Sequence, residues 1–189
     1  MKILSINRDL NQPLSTTAHN VTIIPDSAMI QGGKPFFIPN FSQNWEYQAS
    51  IAFRIKRLGK KIGKKFASRY YDAIALAVNT IPVDTIIEGQ SSSAIFNAFD
   101  GAFIIGDWIE LDQLDCTNNL FVSIGNETIS VDFKQLAIDD TIATISQYIT
   151  LKIGDIITPV KLPISGIITI DTIIDGTLNN TQNLRLKFK

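Results

Sequence analysis

Short apolar runs rich in isoleucine and valine, broken every few residues by Gly, Asn, Asp or Pro, set the pattern of this chain. β-branched residues in runs of that length favour strands. Strands are predicted at Lys2–Ile6, Phe36–Ile38, Tyr47–Ile55, Ala102–Ile105, Leu120–Ile124, Glu127–Val131, Asp155–Thr158, Gly166–Asp171 and Asn183–Phe188. The segment Ser50-Ile51-Ala52-Phe53-Arg54-Ile55 alternates roughly, as a strand with unlike faces does. Ile124-Gly125-Asn126-Glu127, between two such runs, is a hairpin signal because Gly and Asn tolerate positive φ.

Two segments carry a helical period instead. Lys64–Val78 places Phe66, Tyr70, Ile74 and Ala77 at steps of four, four and three, which predicts a helix with one apolar face. Phe133–Ile149 sets Leu136, Ile142, Ile145 and Ile149 on a similar stripe, and Leu151–Asp155 reads as a turn feeding a strand. Many short strands with two helices predict a mainly β, α+β architecture. No repeat or low-complexity linker divides the chain, and 189 residues are expected to form a single domain over residues 1–189.

Composition narrows the partners. A formal charge of −1 gives no support for a nucleic-acid or anionic-membrane surface. No apolar run approaches the roughly 20 residues that span a bilayer. Met1–Arg8 reads as a first strand rather than a signal peptide. One cysteine, Cys116, excludes an intrachain disulfide and fits a reducing, cytoplasmic compartment.

Five blocks in order then carry a resemblance. They are Gly33-Lys34-Pro35-Phe36-Phe37-Ile38-Pro39; Tyr47–Ile55 with Leu58-Gly59-Lys60-Lys61-Ile62; Lys65–Ile74; Ala98-Phe99-Asp100-Gly101 with Ile105-Gly106-Asp107-Trp108-Ile109; and Thr150–Ile157. Together they resemble the fumarylacetoacetate hydrolase family, in particular its short bacterial single-domain members. The resemblance implies a roll of layered mixed β-sheets with a few peripheral helices, usually paired as a homodimer. It also implies Mg²⁺, Mn²⁺ or Ca²⁺ held by carboxylates, which polarises a β-diketo or 2-oxo acid for hydrolysis, decarboxylation or tautomerisation.

Compared with that pattern, the acidic positions are neutral here. The family's Glu-x-Glu, which aims two carboxylates from one strand face at one ion, is matched by Gln48 and Ser50. The third carboxylate, expected just after the helix, is matched by Asn79. Hard divalent cations need anionic oxygens to displace their water, so no metal and no cofactor are expected. The Arg-Asp pair becomes Val83 and Asp84, the substrate lysine becomes Asn97, and of the family's Gly-Arg-Asn-Tyr only Arg8 persists. The family's His-x-x-Glu has no counterpart, since His19 falls too late, and Thr158–Pro163 stands where a Gly-Thr-Pro turn is expected.

The expectation is therefore a catalytically inactive family member with a structural or small-ligand-binding role. Gln48, Ser50, Asn79 and Asn97 would form a degenerate polar pocket, or would satisfy one another in a filled cleft. Arg8 and Asp84 are the remaining catalytic candidates should the chain be a divergent hydrolase, tautomerase or decarboxylase. A third reading is a regulatory partner of an active paralogue. Cys116 has no cationic neighbour in sequence to activate it. Asp139-Asp140 read as an exposed helix face, and Asp107 with Glu110 around Trp108 as part of a packing block. The basic run Lys56–Lys61 with Lys64-Lys65 is compatible with an anion-binding surface, but a solvated turn accounts for it more simply.

Overall fold

The computed structural model describes residues 1–13, 21–85, 94–114 and 119–189. His19 and Cys116 lie outside the described residues.

Two long strands organise the structure. β5 (Trp45–Ile55) and β6 (Tyr71–Pro82) run antiparallel from the pair Trp45↔Pro82 to Ile55↔Tyr71. They sit within a nine-stranded mixed sheet whose main path is β2 (Val21–Pro25), β1 (Lys2–Ile6), β11 (Ile156–Thr158), β5, β6, β7 (Phe103–Ile105) and β3 (Met29–Gln31). Off that path, β12 (Lys161–Ile168) also pairs β5, and β8 (Ile109–Glu110) pairs β6. β10 (Glu127–Asp132), β9 (Asn119–Ile124), β13 (Ile173–Leu178), β14 (Thr181–Phe188) and β4 (Pro35–Phe36) form a second sheet of five strands.

The helix predicted over Lys64–Val78 is not there. Lys64–Arg69 makes a short 3-10 turn, and β6 begins at Tyr71. Ala73 through Val78 are all fully buried, so the run has neither the polar face of an amphipathic helix nor the alternation of a half-exposed strand. Its spacing fits both periods, and the cross-strand ladder to β5 decides. The second predicted helix forms in two pieces. A 3-10 turn at Phe133–Leu136 is closed by Ala137 in the left-handed region, and α1 (Ile138–Tyr148) follows. Asp132 and Gln135 make a reciprocal capping box at its start. The β9–β10 hairpin turns at Gly125, with φ of +58°, as its sequence predicts.

β5 and β6 are covered on both sides. Ile51, Phe53, Ile74, Leu76 and Val78 join residues of β9, β13 and β14 in the main core, so the second sheet packs against that face. Ala52, Ala75 and Ala77 enter a separate buried cluster with Ala28, Ala102 and Phe103. Asn183, on β14, pins the sheets together: its Oδ1 accepts the Leu76 backbone N–H at 2.6 Å, and its Nδ2 donates to the Asp107 carbonyl. Buried Asp155 ties β1 to the approach to β11, accepting from the Lys2 backbone N–H and pairing with its ammonium.

Strand β12 starts earlier than its sequence predicts. The segment around Pro163, which lacks a ladder donor, is absorbed as a bulge. Lys161 pairs with Ser50 and Ser165 with Gln48, and the register shifts between them. Among the described residues no helix is long and apolar enough to cross a membrane.

Candidate functional site

The bulge in β12 places Gln48. Opposite it, the carbonyls of Leu162 and Ile164 need donors, and Gln48 Nε2 supplies them at 2.7 and 3.1 Å, with a third contact to the Ala49 carbonyl at 3.1 Å. Asn79 stands directly across from Gln48 on β6. Its Oδ1 is buried and has no hydrogen-bond partner.

Both amides line a cavity of about 230 Å³, together with Asn97 from the 3-10 turn Ala94–Asn97, Ser5 from β1, and Lys161 at the start of β12. Three of the four predicted pocket residues are thus brought together. Ser50 is not among the lining residues. It is buried, and its hydroxyl lies 3.5 Å from the Ala77 carbonyl, where it acts as donor. The cleft is not filled by mutual pairing of these side chains, because the Gln48 donor is turned to the backbone of β12 and the Asn79 acceptor is left over.

Lys161 was not singled out from the sequence, although it falls in the segment that departs from the family's Gly-Thr-Pro turn. It is half-buried. Among the described residues its ammonium has neither a salt bridge nor a hydrogen bond, so it lends the cavity a positive charge.

Arg8 and Asp84 have other tasks. The Arg8 guanidinium is buried and donates to the carbonyls of Gln12 (2.8 Å), Gln135 (2.9 Å), Leu136 (3.2 Å) and Pro159 (3.3 Å). It closes the C-terminal end of the 3-10 turn at Phe133–Leu136, and burial lowers its pKa from the ordinary arginine value. Asp84 is exposed. Its carboxylate accepts from the Ser42 hydroxyl and from the backbone N–H groups of Gln43 (2.8 Å) and Asn44 (3.4 Å). The Ser42 bond, then the Gln43 bond, holds its pKa below the usual carboxylate value. Neither residue lines the cavity.

Of the remaining acidic candidates, Glu110, Asp139 and Asp140 are engaged, whereas Asp107 is exposed and contributes its backbone carbonyl to Asn183. Glu110 and Asp72 both pair with Arg54, whose guanidinium lies over the Trp108 ring at 5.7 Å. Asp139 accepts from the Tyr71 hydroxyl, and Asp140 pairs with Lys64.

The profile of the fumarylacetoacetate (FAA) hydrolase C-terminal family matches residues 5–159. The chain belongs to the fumarylacetoacetate hydrolase family. No curated protein matches it. Among solved structures, fumarylpyruvate hydrolase from Pseudomonas aeruginosa, in complex with Mn²⁺ and pyruvate, is 15% identical, with 99% of this chain and 88% of that one covered and a TM-score of 0.80. 5-carboxymethyl-2-hydroxymuconate delta-isomerase from Mycobacterium smegmatis is 16% identical over 99% of this chain and 78% of that one, with the same TM-score. Maleylpyruvate hydrolase from Sphingobium is 15% identical over 99% and 70%, again at 0.80. At such identities the likeness is one of fold.

The divalent cation implied by the family does not fit the residues present. Gln48 has its amide protons toward carbonyl oxygens, Ser50 donates to Ala77, and Asn79 offers one neutral acceptor. A lysine lines the same space. Among the described residues, no three His, Cys, Asp or Glu side chains are grouped to hold an ion. Such a donor set, neutral and with an added cation, disfavours Mg²⁺ or Mn²⁺ on charge alone.

Proposed function

We propose that this protein is a fumarylacetoacetate hydrolase family member without the family's metal-dependent catalysis, and that its cavity binds a small polar molecule. The observation that carries this reading is the Gln48 amide. It occupies a position that the resemblance assigns to a metal carboxylate, yet it holds the Leu162 and Ile164 carbonyls, a task that needs a donor. A carboxylate has none to give at neutral pH.

The ligand half of the reading rests on the two groups left over. Asn79 Oδ1 calls for a hydroxyl or N–H donor, and Lys161 for a negative charge. A small hydroxy or amino acid brings both, without a metal between.

Two measurements test the two halves. Calorimetry with Mg²⁺ and Mn²⁺, paired with turnover assays on oxaloacetate and an acylpyruvate, is expected to show neither one-to-one binding nor product. Stoichiometric metal binding with turnover would overturn the inactive reading. A thermal-shift series of small hydroxy and amino acids is expected to yield stabilisation that Asn79→Leu and Lys161→Met both abolish. Stabilisation that survives both changes would place the ligand elsewhere.

A further inference from the structure

A second concavity lies at the other end of the β5–β6 pair, where the chain passes from Ile55 to Tyr71. Arg57, Lys60, Lys61 and Arg69 line it with Phe66 and Tyr70, around about 270 Å³. From Lys56 to Arg69 the chain carries seven of its 17 basic residues and not one acidic residue. The remainder therefore holds ten basic residues against 18 acidic ones. The overall charge of −1 conceals this separation.

Among the described residues, the four lining cations hold the loop by no salt bridge. The backbone is pinned by neutral bonds: Gly59 and Leu151 exchange N–H and C=O at 3.0 and 2.8 Å, Lys61 N–H donates to the Ser146 carbonyl at 2.8 Å, and Ile62 N–H to the Ser146 hydroxyl at 2.9 Å. Lys56 N–H reaches the Tyr70 carbonyl at 2.8 Å. Gly59 packs so closely on the Tyr70 ring that a side chain there would collide with it. The result is a rigid rim that brings like charges together. Among the described residues no salt bridge reaches Arg57, Lys60, Lys61 or Arg69, whereas neighbouring Lys64 has Asp140.

Two details argue that the charges are kept for a ligand. Lys61 sits at φ of +53°, a left-handed conformation that Gly or Asn takes at lower cost. Both guanidiniums are already oriented, with Arg57 over the Tyr70 ring at 5.9 Å and Arg69 over Phe66 at 5.1 Å. A planar, pre-oriented guanidinium loses little freedom on binding and matches a phosphate oxygen pair.

We propose that this concavity, formed by Arg57, Lys60, Lys61 and Arg69, is a binding site for a compact polyanion, namely the di- or triphosphate group of a small molecule. The volume lies below the roughly 300–1,000 Å³ of pockets that enclose whole drug-sized ligands, so a charged group fits better than a large body. An extended polyanion such as a nucleic acid would run from the patch onto the acidic remainder of the surface, which a short one avoids. The site is separate from the Gln48–Asn79 cavity and does not depend on its reading.

The test is titration calorimetry of the whole chain with inorganic pyrophosphate and with orthophosphate, at two salt concentrations. Pyrophosphate is expected to bind at least tenfold more tightly than orthophosphate, and to weaken as salt rises. Arg57→Gln/Arg69→Gln is expected to lose tenfold or more in affinity, and Lys34→Gln, outside the patch, to lose nothing. Lys60→Gln/Lys61→Gln provides a second reading should the arginine variant fold poorly. Equal affinity for the two anions, or unchanged binding in both patch variants, would overturn the proposal. So would binding of RNA or of phosphatidylserine vesicles without any binding of pyrophosphate.

Discussion

Gln48 and Asn79 stand opposite each other on β5 and β6, but Gln48 turns its amide to the β12 carbonyls while Asn79 keeps a buried acceptor with no partner. Replacing Gln48 by Glu separates the structural role from the metal role. The carboxylate would face the Leu162 and Ile164 carbonyls and leave both without a donor. A loss of about 2–4 kcal/mol in denaturant unfolding at pH 7 is expected. Acidification returns a proton to the side chain, so the deficit relative to the parent chain should narrow as pH falls. Millimolar Mg²⁺ should leave it unchanged; full rescue by the metal would show that a working ion site survives.

Asn79→Leu probes the other half of the pair. The change removes a buried acceptor that nothing satisfies, so stability should hold or rise by about 1 kcal/mol in the absence of ligand. A drop of more than about 2 kcal/mol would mean that the Asn79 amide supports the fold after all.

Arg8→Met tests the buried guanidinium. Four carbonyls lose their donor at once, and a cost of about 3 kcal/mol is expected. Arg8→Lys should recover only part of it, since an ammonium cannot reproduce the planar fork. Equal stability of Arg8→Met and the parent would remove the clamp from the account.

Asp84 predicts a pH dependence with a definite sign. Its folded pKa lies below the value near 3.9 expected of an unfolded aspartate, mainly through the Ser42 hydroxyl. Its contribution is therefore present above the unfolded value and lost as pH falls through the folded one. Melting temperatures of the parent and Asp84→Asn should differ most at neutral pH and converge in acid. Ser42→Ala should shrink the gap. A gap that widened below pH 4 would contradict the assignment.

Much of the fold was legible in the chain because strands such as Lys2–Ile6 and the Gly125 hairpin depend on local signals. β6 was not, because Ala73–Val78 is buried on both faces and its spacing satisfies either period. Pro163 hinted at a break in β12, but a bulge is a relation between two strands, and only the paired register shows that Gln48 serves it. The resemblance located Gln48, Asn79 and Asn97 in one cavity. It put Ser50 there too, but the structure buries that residue and turns its hydroxyl to the Ala77 carbonyl. Lys161 escaped notice since a lone lysine among apolar neighbours carries no pattern of its own. The basic run was visible, but its concave shape required the turn at Lys61.

The pairing of β1 with β11 also constrains how the protein comes to be. Lys2 and Asp155 are 153 positions apart, and Gln48 must wait for Leu162, 114 positions later. Contacts of such long range are made against a large loop-closure entropy and slow the search for the native state. During synthesis β1 emerges early and can pair with β2, while its other edge stays open until β11 appears. An unpaired strand edge of that kind is a point of misassociation. Refolding yield should therefore fall with protein concentration even though the finished sheet covers that edge.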